Sequence, residues 1–172
     1  MTRPYTIALA GNPNAGKSTV FNALTGENQH VGNWPGKTIE QKTGHFTVDD
    51  ITFDVVDLPG TYSLAAYSVE EIITRDYLIH KQPDLVVAVA DAANLGRNLY
   101  LVVQLIELSV PLLVALNMVD IAAARGIAID TSRLSARLGV PVIETVATQQ
   151  HGLDDLKTSV LQITTAPVQA SL

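Results

Sequence analysis

The sequence predicts an α/β fold of three layers, with helices on both faces of a mainly parallel six-stranded sheet that carries one antiparallel edge strand. Three observations predict it. Short aliphatic runs alternate with stretches of helical periodicity along most of the chain. The residues are 47% hydrophobic but only 5% aromatic, a composition that fits aliphatic strands buried on both faces. One pair of runs is joined by Asp49-Asp50 alone, a connection that suits a hairpin and therefore an antiparallel edge.

Taken in order, the strand-like runs are residues 5–10, 45–48, 51–56, 85–90, 112–116 and 140–143. Helical patterns cover 17–24, 69–80, 95–108, 131–138 and 153–162, several of them opened by Ser, Thr, Asp or Asn. The long stretch 25–41 holds Gly26, Gly32, Pro35 and Gly36 and reads as a loop of functional length. Residues 1–163 are expected to form one domain, with 164–172 a flexible tail or linker.

Composition narrows the function classes. The most apolar stretch, 110–124, is interrupted by Asn117 and Asp120, so no transmembrane helix is expected. The N-terminus lacks the pattern of a secretory signal, and the domain is expected to stay in the cytosol. Without cysteine there is no disulfide framework and no thiolate metal site. Seventeen acidic against eleven basic residues give a net charge of −6, which disfavours nucleic acid as a partner. The four histidines, His30, His45, His80 and His151, lack metal-site spacing and are expected to be structural or solvent-facing.

Gly11-Asn12-Pro13-Asn14-Ala15-Gly16-Lys17-Ser18 follows the first strand and opens a helix, the setting in which GxxxxGK[ST] forms a phosphate-binding loop. Backbone N–H groups of Asn12 and of Asn14 through Thr19 can curl round phosphates, helped by the positive end of the helix. Lys17 would bridge the β- and γ-phosphates and Ser18 would ligate magnesium. An ordinary glycine-rich turn is the alternative. Asp57-Leu58-Pro59-Gly60 ends the third strand, where Asp57 can hold magnesium and the Gly60 amide can reach the γ-phosphate; in isolation it would be read as a turn.

Asn117-Met118-Val119-Asp120, after the fifth strand, matches the guanine-reading pattern [NT]KxD with Met118 in place of lysine. The Asp120 carboxylate can accept from N1–H and the 2-amino group of guanine, an arrangement adenine cannot satisfy. The competing reading is an aspartate that caps the next helix. Glu144-Thr145-Val146-Ala147-Thr148 is similar to the E-T-S-A-K base-binding loop. Ala147 would contact guanine O6 through its amide. Val146 replaces a serine whose side chain stiffens that loop, and the run 148–152 reads as flexible, so nucleotide is expected to leave readily.

These elements together resemble the Ras-like P-loop GTPases. Asn28 to Glu40 (NQHVGNWPGKTIE), with Gly11-Asn12-Pro13-Asn14 and Asp57 to Leu64 (DLPGTYSL), further resemble the N-terminal G domain of the ferrous iron transporter B family over roughly residues 5–162. The resemblance implies a GTP- and GDP-binding, GTP-hydrolysing domain on the cytoplasmic face of the bacterial inner membrane. It implies helical and membrane regions beyond this chain as partners, and an iron cargo that this domain does not itself bind. It also implies Thr38 as the switch I magnesium ligand, and Asn14 with the carbonyls of Gly32 and Trp34 as holders of potassium. Lys17, Thr38, Gly60 and Asn14 are then the catalytic set.

Thr61 stands where Ras-like enzymes carry a water-orienting glutamine, so intrinsic hydrolysis is expected to be slow and potassium to supply the missing charge. Glu70 and Glu71 read as helix-dipole partners rather than bases. Trp34 fits either a core position or a partly exposed one on a switch loop. Two other functions remain: a soluble bacterial GTPase of ribosome or tRNA metabolism, and a GTP sensor with negligible turnover.

Overall fold

Strand β1 (Tyr5–Gly11) sends Ile7 and Leu9 to one face of a sheet and Ala8 and Ala10 to the other, and all four are buried. The computed structural model describes residues 3–167. Next come α1 (Lys17–Thr25), β2 (Gln29–Asn33), β3 (Glu40–Val48), β4 (Ile51–Asp57) and α2 (Val69–Lys81). The chain continues through β5 (Leu85–Asp91), α3 (Leu95–Glu107), β6 (Leu112–Asn117), α4 (Val119–Ala124), α5 (Thr131–Leu138), β7 (Val142–Glu144) and α6 (Leu153–Thr165).

The sheet order is β2-β3-β4-β1-β5-β6-β7. Every pairing from β4 to β7 is parallel, and β3 is antiparallel to both β4 and β2. Both faces are covered. Val20, Phe21 and Leu24 of α1 pack with Leu156 and Val160 of α6 against Leu85, Val87 and Val89. Ile73 and Leu78 of α2 and Leu101, Val102 and Leu105 of α3 cover Val86, Ala88 and Ala90 on the opposite face. The continuous burial of β5 and β6 reflects this double cover.

The sheet has seven strands rather than the six expected from sequence. The additional strand, β2, lies within the stretch read as a loop, and its five residues are all exposed. It is held by backbone pairing to β3, so its side chains carry no alternation that would reveal it. β3 begins at Glu40, earlier than the expected residue 45, because it spans both neighbours. The short helix α4 was also missed, and α6 continues through Thr165, past the expected residue 162. Of the stretch expected to be a tail, residues 168–172 lie outside the described residues.

The chain builds β1 to β4 on one side of β1 and then β5 to β7 on the other. That reversal opens a crevice at the carboxyl ends of β1 and β5, where sheets of this kind bind ligands.

Candidate functional site

The loop after β1 turns through two left-handed residues, Asn14 at φ 68° and Gly16 at φ 87°. Its N–H groups therefore face inward as a nest at the start of α1. Glycine is required at position 16, because a Cβ there would lie 2.2 Å from Nδ2 of Asn117. Ser18 and Asn14 are exposed at the mouth, whereas Ala15 and Lys17 are buried.

The loop after β4 packs directly on this nest. Thr61 donates its N–H to the Gly11 carbonyl at 3.1 Å, and a Cβ on Gly60 would stand 3.3 Å from Pro13. Lys17 Nζ meets Asp57 Oδ1 at 2.5 Å, with both side chains about 10% exposed. Burial pushes the Asp57 carboxyl above its ordinary range, and Lys17 only partly offsets this. Two groups assigned from sequence to phosphate and magnesium thus neutralise one another across the cleft. Ser18 and Asp57 supply the hard oxygen donors that magnesium prefers.

Asn117 locks the second half of the site. At 3% exposure its Nδ2 donates to the Ala15 carbonyl at 3.2 Å, and its Oδ1 accepts from Thr145 Oγ1 and the Ala147 N–H, both at 3.1 Å. One side chain therefore joins the phosphate loop to the loop after β7. Met118 occupies the cap position of α4 at φ 62°, and its terminal methyl would lie 3.2 Å from a Cβ on Gly16. Its side chain therefore lies against the phosphate loop at Gly16. Asp120 falls inside the first turn of α4, so it is not the helix cap. It is exposed and lines a groove with Val119, Glu144 and Val146.

Val146 and Ala147 are buried and Thr148 is exposed. The run read as flexible is closed instead. Val146 and His151 exchange backbone hydrogen bonds at 3.0 and 3.1 Å, and Gly152 turns at φ 77° where a Cβ would strike the Glu144 carbonyl.

Switch I is arranged differently from the other motifs. Gly32 lies on β2 opposite Gln41, three strands from β1, or roughly 14 Å across the sheet at the usual strand spacing. Trp34 is a core residue, 7% exposed, with its ring edge-on to Tyr77 at 5.7 Å. Its carbonyl accepts from Lys37 N–H at 2.9 Å. Thr38 is exposed in the following bend. The edge position of Gly32 sets it apart from Asn14 in the loop after β1 in this conformation.

The sequence reading missed several contacts. Leu64 N–H donates to Gln104 Oε1 at 2.8 Å, and Arg97 lies 5.0 Å from the centre of the Tyr62 ring, so α3 holds the segment after Gly60. Nothing in the sequence signals this, since Arg97 and Gln104 look like the solvated face of an amphipathic helix. The four histidines are exposed.

A family profile described as ferrous iron transport protein B matches residues 5–160. The chain belongs to the ferrous iron transport protein B (FeoB) family. It is 51% identical over 162 residues to the Fe(2+) transporter FeoB of Escherichia coli K12, covering 92% of this chain and 21% of that protein. Among solved structures, the FeoB G domain of Methanococcus jannaschii aligns with a TM-score of 0.85 at 48% identity, covering 95% of this chain and 99% of that one. The cytosolic domain of Thermotoga maritima FeoB in a GDP form aligns at 0.93 and 40% identity, covering all of this chain and 68% of that one. The fold is therefore that of a FeoB G domain, a GTPase fold. Among the described residues no helix is long and apolar enough to cross a membrane.

Proposed function

We propose that this domain binds GTP and GDP with magnesium, hydrolyses GTP slowly unless potassium is present, and through that cycle controls passage of ferrous iron by a membrane transporter. The observation that carries the reading is Asn117, which ties the phosphate loop to the base loop through three buried hydrogen bonds. The GDP-bound state of homologous FeoB domains supports the choice of nucleotide.

Lys17 would leave Asp57 to reach the β- and γ-phosphates, and Asp57 and Ser18 would hold magnesium, which would supply charge stabilisation there. The inward N–H groups of residues 14–19 cradle the β-phosphate, and the Gly60 amide orients the γ-phosphate. Magnesium and potassium, when bound, would neutralise charge that builds on the phosphate oxygens in a loose transition state. Asn14 with the carbonyls of Gly32 and Trp34 would hold the monovalent cation, and Thr38 would join Ser18 and Asp57 around magnesium, once switch I rearranges. With Thr61 in the usual glutamine position, water is left to backbone groups of the ordered switch I, and turnover is slow. The regions beyond this chain, including a helical domain and a membrane part, are its partners at the cytoplasmic face of the inner membrane.

Single-turnover hydrolysis in potassium and in sodium chloride at matched ionic strength tests this reading. Potassium should accelerate cleavage, and Asn14→Ala should lose the acceleration while keeping GTP binding. Equal rates in the two salts would refute the potassium mechanism, and no cleavage in either would leave a nucleotide sensor.

A further inference from the structure

A cavity of about 210 Å³ lies against the phosphate loop, lined among others by Asn12, Asn14, Tyr62, Asp91, Arg97 and Asn98. Asn12 is 4% exposed, and neither its amide nitrogen nor its amide oxygen has a hydrogen-bond partner. The contrast with Asn98 is informative. Equally buried, Asn98 accepts from Asp91 N–H at 3.2 Å and donates to the Asn94 carbonyl at 2.8 Å. A buried amide with both ends unsatisfied is costly in a folded protein and marks a place where a ligand or ordered water belongs.

The unpaired donors around it favour an anion. Arg97 forms no ion pair among the described residues, and its stacking over Tyr62 leaves the edge of the guanidinium free to donate. Asp91 caps the 3-10 turn Ala92–Asn94 that leads into α3, so the helix start contributes only a weak positive potential. Asp91 is the opposing charge, but one oxygen accepts from Ala93 N–H at 2.8 Å and the other from the Asn94 amide at 2.7 Å. A compact tetrahedral oxyanion matches the free donors of Arg97 and the Asn12 amide.

We propose that this cavity binds inorganic phosphate and holds the product of γ-phosphate cleavage beside the phosphate loop before it escapes. The inference rests on the hydrolytic reading above. Tyr62 lies two residues after Gly60, so the ring that backs Arg97 belongs to the segment that orients the γ-phosphate. Movement of that segment would open or close the cavity with the state of the nucleotide.

Equilibrium dialysis of labelled inorganic phosphate against the domain saturated with GDP tests the site without any turnover. Arg97→Gln should weaken phosphate binding roughly tenfold, the equivalent of losing about 1.4 kcal/mol. Arg97→Lys should restore part of it, and GDP affinity should be unchanged in both variants. In single-turnover reactions, quenched-flow cleavage is followed alongside release in each variant, because Arg97 also backs Tyr62 of the segment after Gly60. Phosphate release, followed with a fluorescent phosphate sensor, should lag cleavage less than in the unmodified domain. Phosphate bound equally well by Arg97→Gln would overturn the proposal and place the ion in the γ-phosphate position instead. Arg97-dependent binding in a domain that never cleaves GTP would support the site and count against hydrolysis alone.

Discussion

Replacing Asn117 with alanine removes three buried hydrogen bonds at once, to the Ala15 carbonyl, the Thr145 hydroxyl and the Ala147 N–H. A hydrogen bond of this kind contributes about 0.5–1.5 kcal/mol, and a buried donor left without an acceptor costs about 1–3 kcal/mol. Thr145 is 0% exposed and Ala147 3%, so water does not readily replace the lost acceptor. Partial relaxation of the loop after β7 limits the total, and we expect a loss of about 2–4 kcal/mol. For a domain of this size that corresponds to a melting temperature lower by roughly 5–15 °C. Urea unfolding of the nucleotide-free domain, followed by circular dichroism, measures the loss directly, with an unchanged m-value showing that the unfolded state is unaffected. Thr145→Val removes one of the three bonds and should cost about 1 kcal/mol. If Asn117→Ala unfolds within about 0.5 kcal/mol of the unmodified domain, Asn117 does not join the two loops as described.

Gly152→Ala forces a side chain into the left-handed region and against the Glu144 carbonyl, so it should destabilise the domain by about 2 kcal/mol or more and loosen GDP. Thermal melts with and without GDP check both effects. Val146→Ser should slow GDP release in stopped-flow measurements, because a hydroxyl in this loop can bond to neighbouring backbone. An unchanged rate would mean that the 146–151 backbone pairing already sets the loop's stiffness.

What the sequence made legible was the part of the fold in which one pattern has one reading. The aliphatic runs of β1, β5 and β6 are buried on both faces, so each reports itself without reference to its neighbours. The phosphate loop is equally legible, since Gly16 and Lys17 are fixed by the turn and the chemistry together. β2 was not legible, because its exposed side chains have no preferred face and only its backbone is committed. The closed 146–151 loop was missed for a related reason. Its polar residues suggest flexibility, whereas two backbone hydrogen bonds and a glycine turn hold it. Trp34 lay between these cases. Its place in the core depends on Tyr77 of α2, 43 residues away along the chain, a separation across which local pattern carries no information.

Calorimetry of paired nucleotides shows whether the groove after β6 reads guanine through Asp120. GDP should bind with micromolar affinity and ADP at least about 100-fold more weakly. Asp120→Asn should lose GDP but gain xanthosine diphosphate, whose 2-oxo group accepts where guanine donates. Equal affinity of the unmodified domain for GDP and ADP, or an Asp120→Asn variant that keeps its full preference for GDP, would contradict guanine reading by Asp120.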